Sequence, residues 1–410
     1  MSDTKGRTSG LPADLEWVHE AARKALGEVQ PAGPPKSDIE SRGLMLSSRT
    51  NGGRDLPAYY LVYFLLVDLL GFPNLGKWEK TSWTVPIRFQ GRLYSIEHRK
   101  MGLGIFAPTL DAKARMGARP TEAAEADARQ IATLVRKAVG VAEPYFEWRA
   151  EQAAVGSNLN VLNNSDWLFD RYIFFRDRFY ALSAEAERRK DERIVNKETL
   201  EDGTVVTSGS IPSYTLHKEA RWSAQAAIDA FFSWTEHAFI HLAILQGTVH
   251  SGEEVARLAE ADWKTKFKAA LDVSDAPTKE HYDSLLDLRA QIRNFMAHGA
   301  FGKRGEAFHF HSDAGAVPVL LTHRQRHRYA LTGQPAFDET GAITQMEDFI
   351  AHLWSGTRAA MKHHIFSDLP SILTFVADGT YARAIRSEED MKSFVEDLTR
   401  QFDRAADMDW

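Results

Sequence analysis

The chain contains no cysteine. That excludes a disulfide framework, thiolate zinc sites, iron–sulfur clusters and a cysteine nucleophile. Long hydrophobic runs are missing too. The longest, residues 58–67, is interrupted by Asp68 and ended by Gly71, well short of the roughly 20 apolar residues of a membrane span. The opening residues, MSDTKGRTSG, lack the apolar core of a signal peptide. An overall positive charge is also absent. The 410 residues carry a net charge of −6, so the chain is not basic throughout, although local patches remain open. A cytoplasmic protein with no membrane partner is the expectation. With 44% hydrophobic and 26% charged residues, the composition is that of globular domains, and the length suggests two or three of them.

What is present is mainly helical patterning, so the expected fold class is mainly α. Residues 1–53 hold one amphipathic stretch, 12–26, followed by PAGPPKSD, whose prolines and glycine stop a helix. This region reads as a mobile N-terminal arm with a short helix. Residues 54–194 read as a helical domain with a small antiparallel β-meander. LPAYYLVYFLLVDLL is apolar on nearly every face, which predicts a buried helix. Trp83, Val85, Ile87 and Phe89 then alternate with Thr84, Pro86, Arg88 and Gln90, the period of a half-buried strand. Long helices are expected over 121–155 and 166–193.

The segment 195–212, with EDGTVVTSGSIP, reads as the linker between domains. Beyond it, 213–375 patterns as a helical bundle. Its helices are expected at 214–246, 253–271, 277–298 and 343–364, with a β-hairpin inserted where AFHFH and VPVLL flank SDAG. Residues 376–410 read as a C-terminal helix over 388–402.

The stretch DSLLDLRAQIRNFMAHGAFG, residues 283–302, carries the most chemical information. At about 100° per residue, Leu285, Leu288, Ile292, Phe295 and Met296 fall in one arc. Asp287, Gln291, Asn294 and His298 form a polar ridge, and Arg289 and Arg293 form another, one turn apart. Ala290 and Ala297 leave a shallow floor between the arginine and histidine ridges, wide enough for a second helix. Gly299 ends the helix, so His298 sits in the last turn, where the helix dipole favours its protonated form. From Arg289 to Arg328, seven basic residues (Arg289, Arg293, Lys303, Arg304, Arg324, Arg326 and Arg328) face only Glu306 and Asp313, a local charge of +5. A phosphodiester backbone would be drawn there.

Arg293-Asn294-Phe295-Met296-Ala297-His298 reads R-N-x-x-x-H near the end of an amphipathic helix. It resembles the signature of HEPN domains, a helical superfamily found in toxin, anti-phage and RNA-processing ribonucleases, and the resemblance covers roughly residues 213–370. It implies a HEPN-like bundle that cleaves RNA without a metal or cofactor, as a homodimer bringing two such helices together. Arg293 would hold the phosphate, His298 would move protons and Asn294 would orient groups. Arg289, Lys303, Arg304, Arg324, Arg326 and Arg328 would bind the RNA, and Glu236 would support the site from the preceding long helix. A toxin or defence effector would need an antitoxin or regulatory partner to restrain it. The alternative from another class is a non-catalytic HEPN module that dimerises and binds RNA or protein.

Other constellations give less. His237 and His241 lie one helical turn apart, a spacing zinc sites use, but with no thiolate available a packed role is favoured. His309 and His311 share a strand face with no carboxylate near in sequence. His363 and His364 point in different directions on a helix. Glu97 to Lys100 misses the spacing of a metal-nuclease core by one residue, and Gly102 and Gly104 lack the third glycine of a dinucleotide fingerprint.

Overall fold

The computed structural model describes residues 11–33, 35–77, 80–108, 119–156, 158–297, 306–321, 329–331 and 338–407, with the backbone alone at 45, 291–297, 306–308, 318, 320, 321, 330 and 405–407. The protein is mainly helical, with small antiparallel sheets. It divides into two units. One comprises the chain up to Ala153 together with the residues from Phe402 on, and the other comprises Ala154–Gln401. No helix among the described residues is long and apolar enough to cross a membrane.

The first unit is built in chain order from α1 (Glu16–Leu26), β1 (Gln30–Pro31), α2 (Asp38–Met45), β2 (Ser48–Arg49), α3 (Tyr59–Tyr63), β3 (Thr81–Phe89), β4 (Arg92–Arg99), β5 (Gly102–Ala107), α4 (Glu122–Val141) and α5 (Glu143–Val155). The expected meander is the centre of a five-stranded sheet of order β1-β3-β4-β5-β2. Strand alternation puts Trp83, Val85, Ile87 and Phe89 into a core shared with Tyr94, Ile96 and Ile105. Gln90 and Gly91, both with positive φ, turn β3 into β4. Across the core, Asp127 of α4 accepts from the Tyr94 hydroxyl at 2.5 Å and pairs with Arg92 at 2.7 Å, tying helix to sheet.

The expectation of a mobile arm over 1–53 does not hold for its described part. Val18, Ala22 and Leu26 are fully buried in the same core, because their four-residue spacing makes one apolar face on α1. β1 and β2 close the two sheet edges. The buried helix expected after Arg54 begins only at Tyr59, beyond Pro57, and changes at Phe64 to a π-helical turn through Leu69. The single helix expected over 121–155 breaks at Ala142. Pro144, which has no amide proton to donate, opens the second helix instead of continuing the first.

The second unit runs β6 (Asn160–Val161), α6 (Ser165–Arg188), β7 (Ile194–Thr199), β8 (Val205–Ser210), α7 (Pro212–Leu245), α8 (Gly252–Glu260), α9 (Trp263–Ala270), α10 (Ala276–Ala297), β9 (Glu306–Ser312), β10 (Gly315–Leu321), β11 (Tyr329–Ala330), α11 (Glu339–Leu353), α12 (Arg358–Ile365), β12 (Ser371–Ile372), α13 (Thr374–Ala377), α14 (Thr380–Ala384) and α15 (Glu388–Asp407). α7, 34 residues long, is its axis. Phe231, Trp234, Phe239 and Leu242 are fully buried, and α6, α9, α11 and α12 pack around it.

Here the domain boundary moves. Residues 194–210 form an exposed two-stranded hairpin turned at Gly203 (φ +82°), not a linker, because α6 and α7 on either side of it pack against each other along their length. The chain divides after Ala153 instead. Likewise 376–410 is not a separate helix. Phe394 of α15 packs on Phe375 and Tyr381, and its residues up to Gln401 belong to this unit. Two expected long helices are each split. Asp262, accepting from the Thr265 amide at 2.9 Å, starts α9 anew, and Gly356 at φ +60° separates α11 from α12. The inserted hairpin is β9–β10, as the alternation indicated.

Gly53 marks the tightest backbone approach in the first unit, since a Cβ there would lie 2.5 Å from the Ile105 nitrogen. Gly140 in α4 has open space around it. Gly53→Ala is therefore expected to lower stability by about 1–3 kcal/mol, whereas Gly140→Ala should raise it by up to about 1 kcal/mol. Urea unfolding of the two variants checks both signs.

Candidate functional site

The helix that carries Arg293 to Ala297 of the R-N-x-x-x-H sequence is well started. Asp275 accepts from the Thr278 amide at 3.1 Å and hydroxyl at 2.7 Å, stabilising the first turn of α10. Leu285 and Leu288 are buried, as the apolar arc required, and Ala290 is exposed. The helix runs without a break through Arg293 and Asn294 to Ala297. The side chains of Arg293 and Asn294 are outside what is described, and so are His298, Lys303, Arg304, Arg324, Arg326 and Arg328.

One turn before Arg293, the described side chains converge on a single carboxylate. Glu236 of α7 receives Arg289 Nη2 on Oε1 at 2.9 Å and Lys266 Nζ on Oε2 at 2.9 Å. Arg289 also lies over the Phe232 ring, 5.7 Å from its centre. Lys266 is buried, at 5% exposure, so its ammonium depends on this partner. Arg289, expected to face RNA, thus directs a guanidinium N–H inward to Glu236. Glu236, expected to support the site, links α7 to α9 and α10.

A second polar cluster begins at the next residue of α7, His237, on a different side of the helix. The Asn164 amide donates to His237 Nε2 at 2.9 Å, which fixes the His237 proton on Nδ1. His241 Nε2 lies 3.1 Å from the same atom, and His241 Nδ1 lies 2.8 Å from the Ser371 hydroxyl oxygen. His364 Nε2 reaches Ser371 Oγ at 3.4 Å. The result is a connected polar cluster of His364, Ser371, His241 and His237. Burial disfavours charge on every imidazole in it. It lowers His237, holds His241 well below its usual value, with His237 and His364 adding repulsion, and brings His364 to about 4. Ser371, His241 and His364 have no exposed surface, so this serine–histidine pair cannot meet a substrate and works as a neutral structural network. Sequence spacing exposed His237 and His241, but nothing near Ser371 or Lys266 signalled their burial.

The remaining candidates resolve simply. No group of three or more metal-binding side chains occurs among the described residues. His309 and His311 are exposed on β9. His363 turns to Glu388 at 3.0 Å, away from the direction His364 takes. Glu97, fully buried on β4, receives Arg99 Nε at 2.6 Å and the Ser95 hydroxyl at 2.5 Å, so it is an internal ion pair. Comparison with protein-family models, with curated proteins and with solved structures gives no match.

Removing the Glu236 carboxylate leaves a buried ammonium without its counter-charge. Glu236→Ala is expected to cost about 3 kcal/mol, and Lys266→Met in the same background should recover much of it. A double-mutant cycle by denaturant unfolding reads this coupling. The histidine network sets a pH dependence. Its folded-state proton affinities lie below the ordinary 6.5, so the unfolded chain binds more protons as pH falls. Stability is therefore full above pH 6.5 and declines toward about pH 4, by up to about 1.4 kcal/mol per pH unit per histidine. His364→Gln should flatten that decline in melts taken across this range.

Proposed function

We propose that the protein is a metal-independent endoribonuclease of HEPN type, acting as a homodimer in a toxin or defence role. The R-N-x-x-x-H sequence at the end of α10 carries the reading. Two features support it. α10 continues unbroken through Arg293 and Asn294, and the Glu236 contact to Arg289 anchors it one turn earlier against the long central helix. A motif of this kind needs a rigid base, because proton transfer and charge stabilisation depend on fixed geometry.

In the proposed reaction a ribose 2′-oxygen attacks the adjacent phosphorus. Its proton passes to His298 of one protomer, and His298 of the other protonates the departing 5′-oxygen. A P–O bond forms as another breaks, leaving a 2′,3′-cyclic phosphate. Arg293 holds the phosphate oxygens as charge builds on them, and Asn294 orients the groups around it. The symmetric pair supplies both an acid and a base from one kind of histidine.

The test is cleavage of RNA by the purified protein in excess EDTA. Activity should persist there, and Arg293→Ala and His298→Ala should each lower it by about 10² or more with unchanged circular dichroism. RNA binding without cutting would favour the non-catalytic module. A monomer with full activity would contradict the shared site.

A further inference from the structure

A cavity of about 780 Å³ opens in the first unit between α1, the helix beginning at Tyr59 and α5. Its wall is aromatic. Tyr63 and Phe64 stand at the start of the π-helical turn, while Tyr145 and Trp148 come from α5 with ring centres 5.9 Å apart. A π-helical turn is a costly local geometry that recurs at binding sites, and here Tyr63, Phe64 and Asp68 all reach the same cavity.

The charge around these rings is net negative, and His19 adds an imidazole to the lining. Glu16 and Glu20, one turn apart on α1, and Asp68 line the cavity with Arg149 as the lining residue of opposite charge. Three carboxylates against one guanidinium leave −2. Asp68 is already engaged, accepting from the Tyr145 hydroxyl at 2.6 Å and pairing with Arg149 Nε at 3.1 Å. Glu16 and Glu20 make no ion pair among the described residues. The cavity also holds a cation on an aromatic face within the chain itself, since Arg149 lies 5.5 Å from the centre of the Phe64 ring. Ring faces carry negative potential, and together with carboxylates that have no ion pair among the described residues they favour a poorly hydrated positive group over a neutral or anionic one.

We propose that this cavity binds a small organic cation, an alkylated ammonium compound with an apolar body. The ammonium lies against Trp148 and Tyr63 near Glu16 and Glu20, and the apolar part fills the remaining volume beside Leu11 and Leu69. Every residue involved precedes Ala153, so the proposal does not rest on the ribonuclease reading.

Acetylcholine and 3,3-dimethylbutyl acetate have nearly the same shape, and only the first is charged. In calorimetric titration of the full chain at low salt, acetylcholine should bind at one site, with the neutral compound about ten-fold weaker or more. Glu16→Gln combined with Glu20→Gln should weaken acetylcholine by about five-fold and flatten its salt dependence. Both positions are exposed, so folding is retained, and Trp148→Leu should remove most of the binding. Absence of acetylcholine binding up to about 10 mM, equal affinity for the two compounds, or indifference of the double variant would each overturn the proposal.

Discussion

One carboxylate organises the helical unit. Glu236 projects from a central helix whose other faces are packed with aromatic side chains, and it faces two cations from two other helices. In such surroundings a lone charge would be strongly disfavoured, while a shared one becomes a fixed point. The guanidinium it holds belongs to α10, so that helix is tied to α7 one turn before Arg293. The ion cluster therefore matters less as a source of stability than as a positional constraint. Apolar packing alone would tolerate small rotations of α10 about its axis, and the Arg289 contact to Glu236 of α7 opposes them.

The same helix carries a second device of opposite character, beginning at the adjacent residue. His237 and His241 are kept neutral by burial, and His237 Nε2 accepts from the Asn164 amide. The network joins α7 to the N-terminal end of α6, to α12 and to the short strand bearing Ser371, elements far apart in sequence. Ionic ties on one stretch and neutral ties on the next allow both to be satisfied without competing for partners.

Much of this was legible before the structure, where periodicity spoke. The strand alternation from Trp83 to Phe89, the long α7 and the inserted hairpin follow from side-chain spacing alone. Misreadings arose where a segment's polarity stood in for its tertiary role. Residues 195–210 look like a linker because they are polar and contain glycines, yet an exposed hairpin has the same composition, and only the packing of α6 on α7 tells them apart. Residues 1–53 look like an arm because prolines follow the stretch 12–26, although the buried face of α1 was already present in the spacing of Val18, Ala22 and Leu26. At the site, the ridge of Arg289 and Arg293 could be drawn from helix geometry. The inward turn of Arg289 could not, since it depends on Glu236, 53 positions away.

The first unit adds an aromatic, acidic cavity to a chain whose proposed chemistry resides in the second. The chemistry itself is tested most directly by the ends of the RNA it produces. Mass spectrometry of fragments made in EDTA should find 2′,3′-cyclic phosphates opposite 5′-hydroxyls, with a substrate carrying a 2′-deoxy residue at the scissile position left intact. Fragments ending in 3′-hydroxyl and 5′-phosphate, or equal cutting of the deoxy substrate, would contradict the account.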